Sequence, residues 1–526
     1  SSKDVPPGSD TIWQLIEQTV REGGQCLVFV NMRKSTESLA VKYSPKMKKI
    51  SGMCLTSDEE EILAGDADST AMGKKLASCV GSGMAFHNAG LSYTQRRFVE
   101  DNFKNGRIKC IVATPTLAAG INLPARRVIV RDTYRFESNA GNVPISVMEV
   151  KQMCGRAGRP GYDPYGESVL IAKNYEDYEH LMDDYVMHDT ERLTSKLGNE
   201  SILRGHILGL IATGDASSED DVVAFMHDTF YGSTSQLYGI ESVVENVVDF
   251  LCGEGMAERQ GDFVRILPFG KRISDLYIDP KSAIILRDAV KKISDKTEDL
   301  MILHAVTSTP DVLGLYPRKA DEPRLDATVR EYDGEFLVDP YEDEENYEYF
   351  MSDLKTALLL EDWISEVSEE NMTESLGVGP GDIRARVDMA EWLVYAMNEV
   401  AFIFNPAATK RIKPLLTRIR YGIKEELLPL ISFRGVGRVR ARVLFGNGIR
   451  CTEDVQRTDV SALAAMHKIG PALAKSMKEQ AGQGIPTLYA TVKDPEEEEM
   501  ERMASLYEKD GKGASTDNKQ SKLFDF

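Results

Sequence analysis

The sequence predicts a multidomain chain of mixed α/β and α class, with a parallel-sheet domain first and mainly helical domains after it. Its 526 residues are too many for one hydrophobic core and fit about three to five domains. Apolar residues make up 42% of the chain and charged residues 28%, which is typical of a globular protein and excludes a largely disordered one. Between residues 10 and 170, short apolar runs alternate with helical patterns, and this alternation indicates a parallel sheet covered by helices.

Four apolar runs are the predicted strands of the sheet. They span residues 25–31, 83–87, 108–113 and 127–130. Each run is apolar at most positions, as expected for a strand that is buried on both faces. Since ligands of such sheets bind at the carboxyl ends of the strands, the residues at these ends are candidate ligand contacts. These residues are Asn31, His87, Thr114 and Asp132.

The rest of the chain divides into further regions. Helical patterns over 202–213, 220–231 and 240–254, followed by two short strands around a Gly-Asp turn, predict a winged helix. We expect an α/β domain at 1–190, the winged helix at 191–279, a helical domain at 280–408, a domain with two short helical hairpins at 409–488 and a flexible acidic tail at 489–526.

Charge is segregated along the chain. The net charge is −20, which by itself argues against a nucleic-acid partner. Residues 321–370, however, hold 18 acidic and three basic residues, whereas residues 410–450 hold 11 basic and two acidic ones. A phosphate backbone responds to charge within a Debye length of about 8 to 10 Å, not to the sum. The basic stretch is therefore a candidate nucleic-acid surface, and the alternative is that both stretches are solvated faces.

Cysteine usage and hydropathy predict a cytoplasmic protein without a metal site. The seven cysteines are scattered, with no Cys-x-x-Cys pair, which is typical of reduced thiols. No run of 18 apolar residues occurs, so no membrane partner is expected. Residues 1–10 are polar and lack the order of a signal peptide.

The string QMCGRAGRPG at 152–161 carries the strongest chemical signal. Arg156 and Arg159 are three residues apart, so a helical turn projects both guanidinium groups in one direction. A guanidinium group matches phosphate oxygens and stays charged. Across a cleft from a nucleotide, such residues act as arginine fingers on the γ-phosphate. The alternative is a pair of surface arginines in a glycine-rich turn.

A second string, IVATPTLAAGINLP at 111–124, follows a predicted strand. Its small residues, Gly120 among them, let the backbone approach a ligand closely. The hydroxyl of Thr114 and the amide of Asn122 are suited to contacts with phosphates.

These strings resemble motifs V and VI of superfamily 2 helicases. Residues 28–31 resemble motif IV, and His87-Asn-Ala-Gly-Leu91 resembles the short motif that follows it in the Ski-two-like branch. The order of the later regions is similar to that of archaeal fork-processing DNA helicases related to the helicase half of polymerase theta. That group has two RecA-like lobes, a winged helix, a helical ratchet bundle and a terminal helix-hairpin-helix domain, so residues 1–190 correspond to the second lobe.

The resemblance implies roles for individual residues. It implies that Gln152, Arg156 and Arg159 are catalytic and that Gly120 and Asn122 join the two arginines at ATP. It also implies that Asn31, His87 and Thr114 contact DNA, and that Phe136 lies in a strand-separating β-hairpin at 134–144.

The phosphate loop of such helicases does not occur in this sequence. There is no Gly-x-x-x-x-Gly-Lys-Ser/Thr string and no Asp-Glu-x-His or Asp-Glu-x-Asp string. ATP and Mg²⁺ are therefore expected to be held mainly by a first lobe outside this chain. We expect the chain alone to be inactive and the parent enzyme to hydrolyse ATP.

Periodicity supports a ratchet helix around residues 382–401. Val387, Ala390 and Val394 fall on one apolar stripe, and Trp392 falls on the opposite side. A tryptophan there is a candidate platform for stacking a base, and Arg384 and Arg386 are candidate phosphate contacts. The alternative is a helix buried on all sides, with the tryptophan in the core.

The basic stretch contains a helix-hairpin-helix signature at 433–442. Its glycines, Gly435 and Gly437, let backbone N–H groups at a helix N-terminus meet a phosphate. Arg438, Arg440 and Arg442 add salt-dependent attraction to DNA. Residues 468–474 resemble a weaker second hairpin, which has a purely structural role as its alternative.

The last seven residues, QSKLFDF, resemble a sliding-clamp-binding peptide. Gln520 is followed by an aliphatic residue three positions later and an aromatic residue six positions later. A single 3₁₀-like turn would place Leu523 and Phe526 side by side as anchors.

Together these features predict the C-terminal part of an ATP-dependent 3′-to-5′ DNA helicase that acts on stalled forks and in DNA repair. Its partners are then single-stranded DNA, forked DNA and a sliding clamp. Two alternatives stay open: an RNA helicase of the same branch, and a nucleic-acid-binding adaptor that lacks the ATP-binding lobe.

Overall fold

A computed structural model describes most of the chain. The described residues are 10–64, 71–120, 123–137, 141–158, 163, 165–234, 239–339 and 347–483. The predictions for Asn122, Arg159, Gln520, Leu523 and Phe526 lie outside these residues. The chain forms two compact units, Ser1–Gly422 and Ile423–Phe526.

The first unit begins with a parallel five-stranded sheet. The strands of this region are β1 (Cys26–Phe29), β2 (Met84–His87), β3 (Cys110–Ala113), β4 (Arg127–Val130), the hairpin strands β5 (Tyr134–Glu137) and β6 (Gly141–Pro144), and β7 (Glu167–Leu170). The sheet has the order β2-β3-β1-β4-β7, and its neighbouring strands are all parallel. Strands β1 to β4 are completely buried and lie within the four predicted runs. Strand β7 was not predicted.

Helices cover this sheet. They are α1 (Thr11–Arg21), α2 (Arg33–Ser51), α3 (Ser57–Ala64), α4 (Ala71–Val80), α5 (Tyr93–Lys104), α6 (Thr116–Gly120), α7 (Val147–Cys154) and α8 (Tyr175–His180). A π-helical turn, Leu181–Val186, continues α8. The predicted α/β architecture is therefore present, since an apolar sheet is buried beneath amphipathic helices.

The region of the predicted winged helix follows. Its elements are α9 (Glu200–Thr213), α10 (Glu219–Asp228), α11 (Phe230–Thr234), α12 (Ile240–Gly253), the antiparallel strands β8 (Ala257–Gln260) and β9 (Phe263–Ile266), and α13 (Pro268–Leu276). The predicted helices at 202–213 and 240–254 correspond to α9 and α12, and the predicted pair of strands corresponds to β8 and β9. The predicted helix at 220–231 is divided into α10 and α11, and α13 was not predicted.

One long helix, α19 (Pro380–Phe404), stands out among the remaining helices of the first unit. The others are α14 (Pro280–Lys292), α15 (Asp299–Thr307), α16 (Glu322–Glu331), α17 (Tyr347–Ile364), α18 (Glu369–Leu376) and α20 (Thr409–Tyr421). Helix α19 packs against α14, α15, α17 and α20. It spans the predicted ratchet segment and extends beyond it.

Helix α20 lies in the first unit, although we predicted that the C-terminal domain begins at residue 409. Ile412, Leu415 and Ile419 are buried in the core of the first unit. Arg411 and Arg418 both pair with Asp299. The basic stretch is therefore divided between the two units, because apolar burial rather than charge decides where α20 packs.

The acidic stretch 321–370 is partly structural. The Asp321 carboxylate is buried and pairs with Lys355 (2.7 Å) and Arg318 (2.9 Å). The Asp362 carboxylate accepts one hydrogen bond from each of the two Nη atoms of Arg324, both at 2.8 Å. Some acidic residues of this stretch thus form ion pairs that connect helices of the first unit.

The second unit contains α21 (Arg438–Gly446), α22 (Thr452–Arg457), α23 (Val460–Ala464) and α24 (Pro471–Gln483), after a 3₁₀ turn at Glu425–Leu427. Within the described residues of both units, no helix has the length and hydropathy of a membrane span.

Candidate functional site

The carboxyl edge of the parallel sheet brings the predicted strand-end residues into one row. Thr114 donates its backbone N–H to the His87 carbonyl at 3.3 Å. Asn31 donates its backbone N–H to the Asp132 carboxylate at 3.1 Å. Residues from four different strands thus meet at this edge, as the alternation of strands and helices predicted.

Two of these side chains point into the protein. The His87 ring is buried, with its Nε2 atom 2.9 Å from the Glu100 carboxylate. The Thr114 hydroxyl is buried and lies 2.9 Å from the Thr116 hydroxyl. Both side chains fix the shape of the edge, and their direct contact with DNA stays a prediction.

An open crevice lies between the ends of β1 and β4. It has a volume of ≈ 350 Å³, and Asn31, Asp132, Arg131 and Lys173 are among its lining residues. The Arg131 Nε atom is 3.0 Å from both oxygens of the Asp132 carboxylate, and Lys173 is exposed. We did not predict Arg131 or Lys173, although a basic residue directly after a buried run is a usable signal. The crevice presents an amide, two cations and the carboxylates of Asp132 and Asp177 at the edge where parallel sheets bind ligands.

The loop after β2 touches the start of α19. Gly381 donates its backbone N–H to the Gly90 carbonyl at 3.0 Å. Arg33, at the start of α2, pairs with Asp382, and Asp382 also accepts the Gly379 N–H at 3.0 Å. The segment that resembles a helicase motif is therefore joined directly to the predicted ratchet helix.

Arg156 lies in the turn after α7, not on the helical turn that we predicted, and it contacts the segment between β3 and β4 at two points. Its backbone carbonyl accepts the N–H of Ala125, which precedes β4, at 2.9 Å. Its guanidinium group donates from Nε to the Ala118 carbonyl at 3.1 Å, and Nη2 binds the same oxygen. Ala118, Gln152, Gly155 and Arg156 line an open cavity of ≈ 380 Å³. The strings that resemble motifs V and VI are thus in contact through the predicted arginine finger.

Helix α7, which carries Gln152, is held at its N-terminus by two side chains. The Ser146 hydroxyl accepts the Glu149 N–H at 3.1 Å, and the Glu191 carboxylate accepts the Met148 N–H at 3.0 Å. Oxygen acceptors at this position satisfy the unpaired N–H groups of a helix. Gln152 is exposed and borders the Arg156 cavity.

The predicted hairpin at 134–144 is present as the pair β5–β6. The backbone of Phe136 pairs with Asn142, and its side chain lies outside the described residues. Arg135 is bound to both oxygens of Glu149 on α7, at 3.1 and 3.0 Å. The hairpin is therefore attached to the helix that precedes Arg156.

Helix α19 presents Trp392 at a partly buried position. The indole N–H donates to the Leu276 carbonyl at 3.1 Å, so the ring is anchored against the end of α13. Arg384 is exposed and pairs with Asp388 at 2.9 Å. The predicted stripe Val387, Ala390 and Val394 is buried.

Arg386 is mostly buried, and we predicted it as a phosphate contact. Its guanidinium group lies 3.6 Å from the Asp382 carboxylate and 3.4 Å from the Leu313 carbonyl. Burial lowers its pKa. Arg386 thus holds the start of α19, and its contact with DNA stays a prediction.

The second unit contains two hairpins of the same design. In the first, Gly435 has φ +84° and Ala441 donates its N–H to the Gly437 carbonyl at 2.9 Å. In the second, Lys468 has φ +61° and Ala474 donates its N–H to the Gly470 carbonyl at 3.0 Å. The second signature was weaker in the sequence because a lysine takes the left-handed position of the first glycine.

The arginines of the first hairpin already have partners inside this unit. Arg440 donates to the Lys468 carbonyl (3.0 Å) and to the Gly435 carbonyl (2.7 Å). Arg442 pairs with Glu426 at 2.7 Å. Arg440 thus ties the two hairpins together, a role that sequence reasoning missed, and phosphate binding by Arg438, Arg440 and Arg442 stays a prediction.

Curated relatives match nearly all of this chain. A protein of Methanocella arvoryzae named ATP-dependent DNA helicase Hel308 is 41% identical over 514 residues, which are 96% of this chain and 69% of that protein. The chain belongs to the Hel308 helicase family. Hel308 proteins of Pyrococcus horikoshii and Pyrobaculum calidifontis are 38% and 40% identical over 90% and 92% of this chain, which correspond to 66% and 68% of their lengths. The chain therefore spans about two thirds of the length of these relatives.

Models of individual domains match the Hel308-family chain in succession. They are a helicase conserved C-terminal domain at residues 9–161, a helix-turn-helix domain at 166–258, an archaeal helicase domain 4 at 300–422, and a SAM-like helix-hairpin-helix tandem at 427–483. The last two meet near the boundary between the two compact units, and domain 4 includes α20. The resemblance to an archaeal helicase is thus confirmed.

Proposed function

We propose that this chain is the C-terminal part of an ATP-dependent DNA helicase that moves 3′ to 5′ along single-stranded DNA. The relatives named above are ATP-dependent DNA helicases. The observation that carries the proposal is the contact between Arg156 and the Ala118 carbonyl. It joins the two strings that resemble motifs V and VI beside one open cavity, which suits a nucleotide that both strings contact.

The residues at this cavity fit the phosphates of ATP. Arg156 and Gln152 offer a guanidinium group and an amide, and the chain at Gly120 lies on the helix that supplies Ala118. When ATP is bound, it supplies the phosphoanhydride bond whose hydrolysis drives movement. Arg156 can exchange its bond to a neutral carbonyl for a stronger one to an anionic phosphate.

Magnesium does not fit this cavity on the described residues. Its lining there includes no carboxylate, and Mg²⁺ prefers carboxylate and phosphate oxygens. We propose that a lobe outside this chain holds the metal. We include Arg159 and Asn122 in the proposed ATP site because their strings resemble motifs VI and V of superfamily 2 helicases.

DNA is proposed to run along the carboxyl edge of the sheet. Asn31, with Arg131 and Lys173, is suited to the backbone, while Trp392 would stack a base and the hairpin at Phe136 would part the duplex. Single-stranded DNA and stalled forks are then the substrates, with a role in DNA repair. The helix-hairpin-helix tandem would hold the duplex backbone, and Gln520, Leu523 and Phe526 would bind a sliding clamp.

Arg156→Ala tests the proposal in a polypeptide that also contains the ATP-binding lobe. Loss of an arginine finger should lower DNA-stimulated ATP hydrolysis at least about 100-fold and leave DNA binding unchanged. Arg97→Ala is the matched control, since Arg97 is exposed on α5. Unchanged turnover in Arg156→Ala would remove the assignment.

A second experiment measures unwinding by the same polypeptide on matched DNA and RNA substrates. Comparing DNA with RNA separates a DNA helicase from an RNA helicase, and comparing 3′ with 5′ overhangs gives the direction of movement.

A further inference from the structure

The solvent-facing stripe of α19 carries more than Trp392. Ala385, Asp388, Trp392, Tyr395 and Glu399 follow one another at spacings of three or four residues, so they share one face of the helix. Every one of them is at least partly exposed, while the opposite stripe is buried. This face is therefore accessible in the described chain, and it includes a second aromatic ring.

Two tyrosines lie next to Trp392. Tyr395 follows it by three residues and is 43% exposed. Tyr277 comes directly after Leu276, whose carbonyl accepts the indole N–H of Trp392, and it is 88% exposed. Among the described residues, neither tyrosine has a side-chain hydrogen bond or a ring contact. This hydrogen bond thus brings the backbone at Leu276 and Tyr277, at the end of α13, next to the ring of Trp392 on α19.

The backbone conformation of Tyr277 does not favour an aromatic residue at this position. The residue ends α13 in the left-handed conformation, with φ 56° and ψ 28°. Glycine and asparagine adopt this conformation more readily than a tyrosine. An exposed ring also contributes little to the core. Neither backbone preference nor burial accounts for an aromatic residue here, which points to a contact with another molecule.

The charges around the three rings suit a polyanion. The two acidic residues of this face are Asp388, which pairs with Arg384 (2.9 Å), and Glu399, which pairs with Arg272. Each of them is thus neutralised by an arginine. Glu391, next to Trp392 in the sequence, pairs with Arg420 (2.6 Å). Helix α20, which supplies Arg420, carries five basic residues and no acidic one. A phosphate backbone beside the rings would meet guanidinium groups rather than bare carboxylates.

We propose that Tyr277 and Tyr395 extend Trp392 into a platform of three rings that stacks neighbouring bases of a single strand. The ligand class is single-stranded nucleic acid of any sequence, because every base has a face that stacks on an aromatic ring. The inference rests on the proposed function and adds two strand-binding residues to it. Trp392 and Tyr395 are separated by about 4.5 Å along the axis of α19, which is a spacing that neighbouring nucleotides can match.

The test uses the full 526-residue chain and a fluorescently labelled oligothymidylate, with affinity measured by anisotropy at several salt concentrations. Tyr277→Gly and Tyr395→Ala should each weaken binding about tenfold, in the range of one lost stacking contact. Tyr277→Phe and Tyr395→Phe should retain binding, since they keep the ring. The salt dependence should not change, because no cation is removed.

Folding is separated from binding by the same variants. Tyr277→Gly should melt at the wild-type temperature or above it, since glycine suits the left-handed position. Tyr349→Ala is the matched control, because Tyr349 is 63% exposed on α17, and it should bind as the wild type does.

The outcomes distinguish this inference from the proposed function. If the wild-type chain binds the oligonucleotide and both ring-removing variants bind it equally well, the inference is overturned. The helicase proposal is then unaffected. A wild-type chain that binds no oligonucleotide overturns the proposed function itself. Equal loss of affinity in Tyr349→Ala would show a non-specific effect and would also reject the platform.

Discussion

His304 shows how a single residue can make the stability of this protein depend on pH. Its ring is completely buried, and neither ring nitrogen has a hydrogen-bond partner among the described residues. The rings of Phe336 and Phe350 lie 5.0 and 4.6 Å away, measured between centroids. Burial lowers the pKa of His304 from 6.5 to about 3, because the apolar surroundings disfavour the charged imidazolium.

His304→Phe should therefore reduce the loss of stability in acid. Below pH 6.5 the unfolded chain binds a proton at His304 and the folded chain does not, so the free energy of unfolding falls as the pH falls towards 3. Between pH 7 and pH 5 this residue accounts for a loss of about 2 kcal/mol. Urea denaturation at both pH values should show that the free energy of unfolding falls less in the variant than in the wild type, by that amount. An equal fall in both proteins would contradict this prediction. His227→Phe is the control, because His227 is exposed.

At the residue scale, the sequence predicted which side chains lie off a buried stripe better than it predicted what they contact. Periodicity placed Trp392 off the buried stripe of α19, and the structure agrees. Nothing in the sequence indicated that Arg386 turns towards Leu313, 73 residues away, or that Arg440 reaches Lys468, 28 residues away. Partners this distant along the chain are decided by tertiary packing, which a local pattern does not encode. Tyr277 was missed for a related reason, since neither its conformation nor its exposure is visible in the sequence.

At the scale of elements, burial decided which predictions succeeded. Strands β1 to β4 are apolar runs buried on both faces, so their signal is strong. Strand β7 pairs with β4 at the edge of the sheet, and its residues are exposed or only partly buried. Its sequence, ESVL, therefore resembles a loop. The same reasoning explains α20, whose charge suggested the C-terminal domain while three buried aliphatic residues hold it in the first unit.

Gly381→Ala tests the junction between the loop after β2 and α19. A methyl group at this position would overlap the carbonyl oxygens of Ala89 and Leu91. The helix start would then have to move, and the bond to Gly90 would lengthen. The expected cost is about 1 to 3 kcal/mol, as for other overpacked sites. Denaturation followed by tryptophan fluorescence measures it.

Gly205→Ala is the matched control for this junction. Gly205 lies inside α9, and a methyl group there would meet no atom within 4 Å. Alanine favours a helix over glycine by about 1 kcal/mol, so this variant should be as stable as the wild type or more stable. Equal destabilisation in both glycine variants would show that the close approach at Gly381 does not limit stability.

For the whole molecule, the division into two compact units matters most. All three tryptophans, Trp13, Trp363 and Trp392, belong to the first unit, and residues 423–526 contain none. Tryptophan fluorescence therefore reports the first unit alone, whereas far-UV circular dichroism reports the helices of both. If each unit folds around its own core, the two signals need not change at the same temperature.

Arg440→Ala should separate these two transitions. Removing the guanidinium group deletes its bonds to the Lys468 and Gly435 carbonyls, which are exposed to solvent and together stabilise the hairpins by about 1 kcal/mol. For a unit of this size, that loss lowers the melting temperature by roughly 4 to 8 °C. The shift should appear in circular dichroism and not in tryptophan fluorescence, while Arg457→Ala, an exposed control on α22, should move neither signal. An equal shift in both signals for Arg440→Ala would mean that the two units unfold as one, because only a shared cooperative transition transmits a loss at residue 440 to tryptophans that all lie before residue 423.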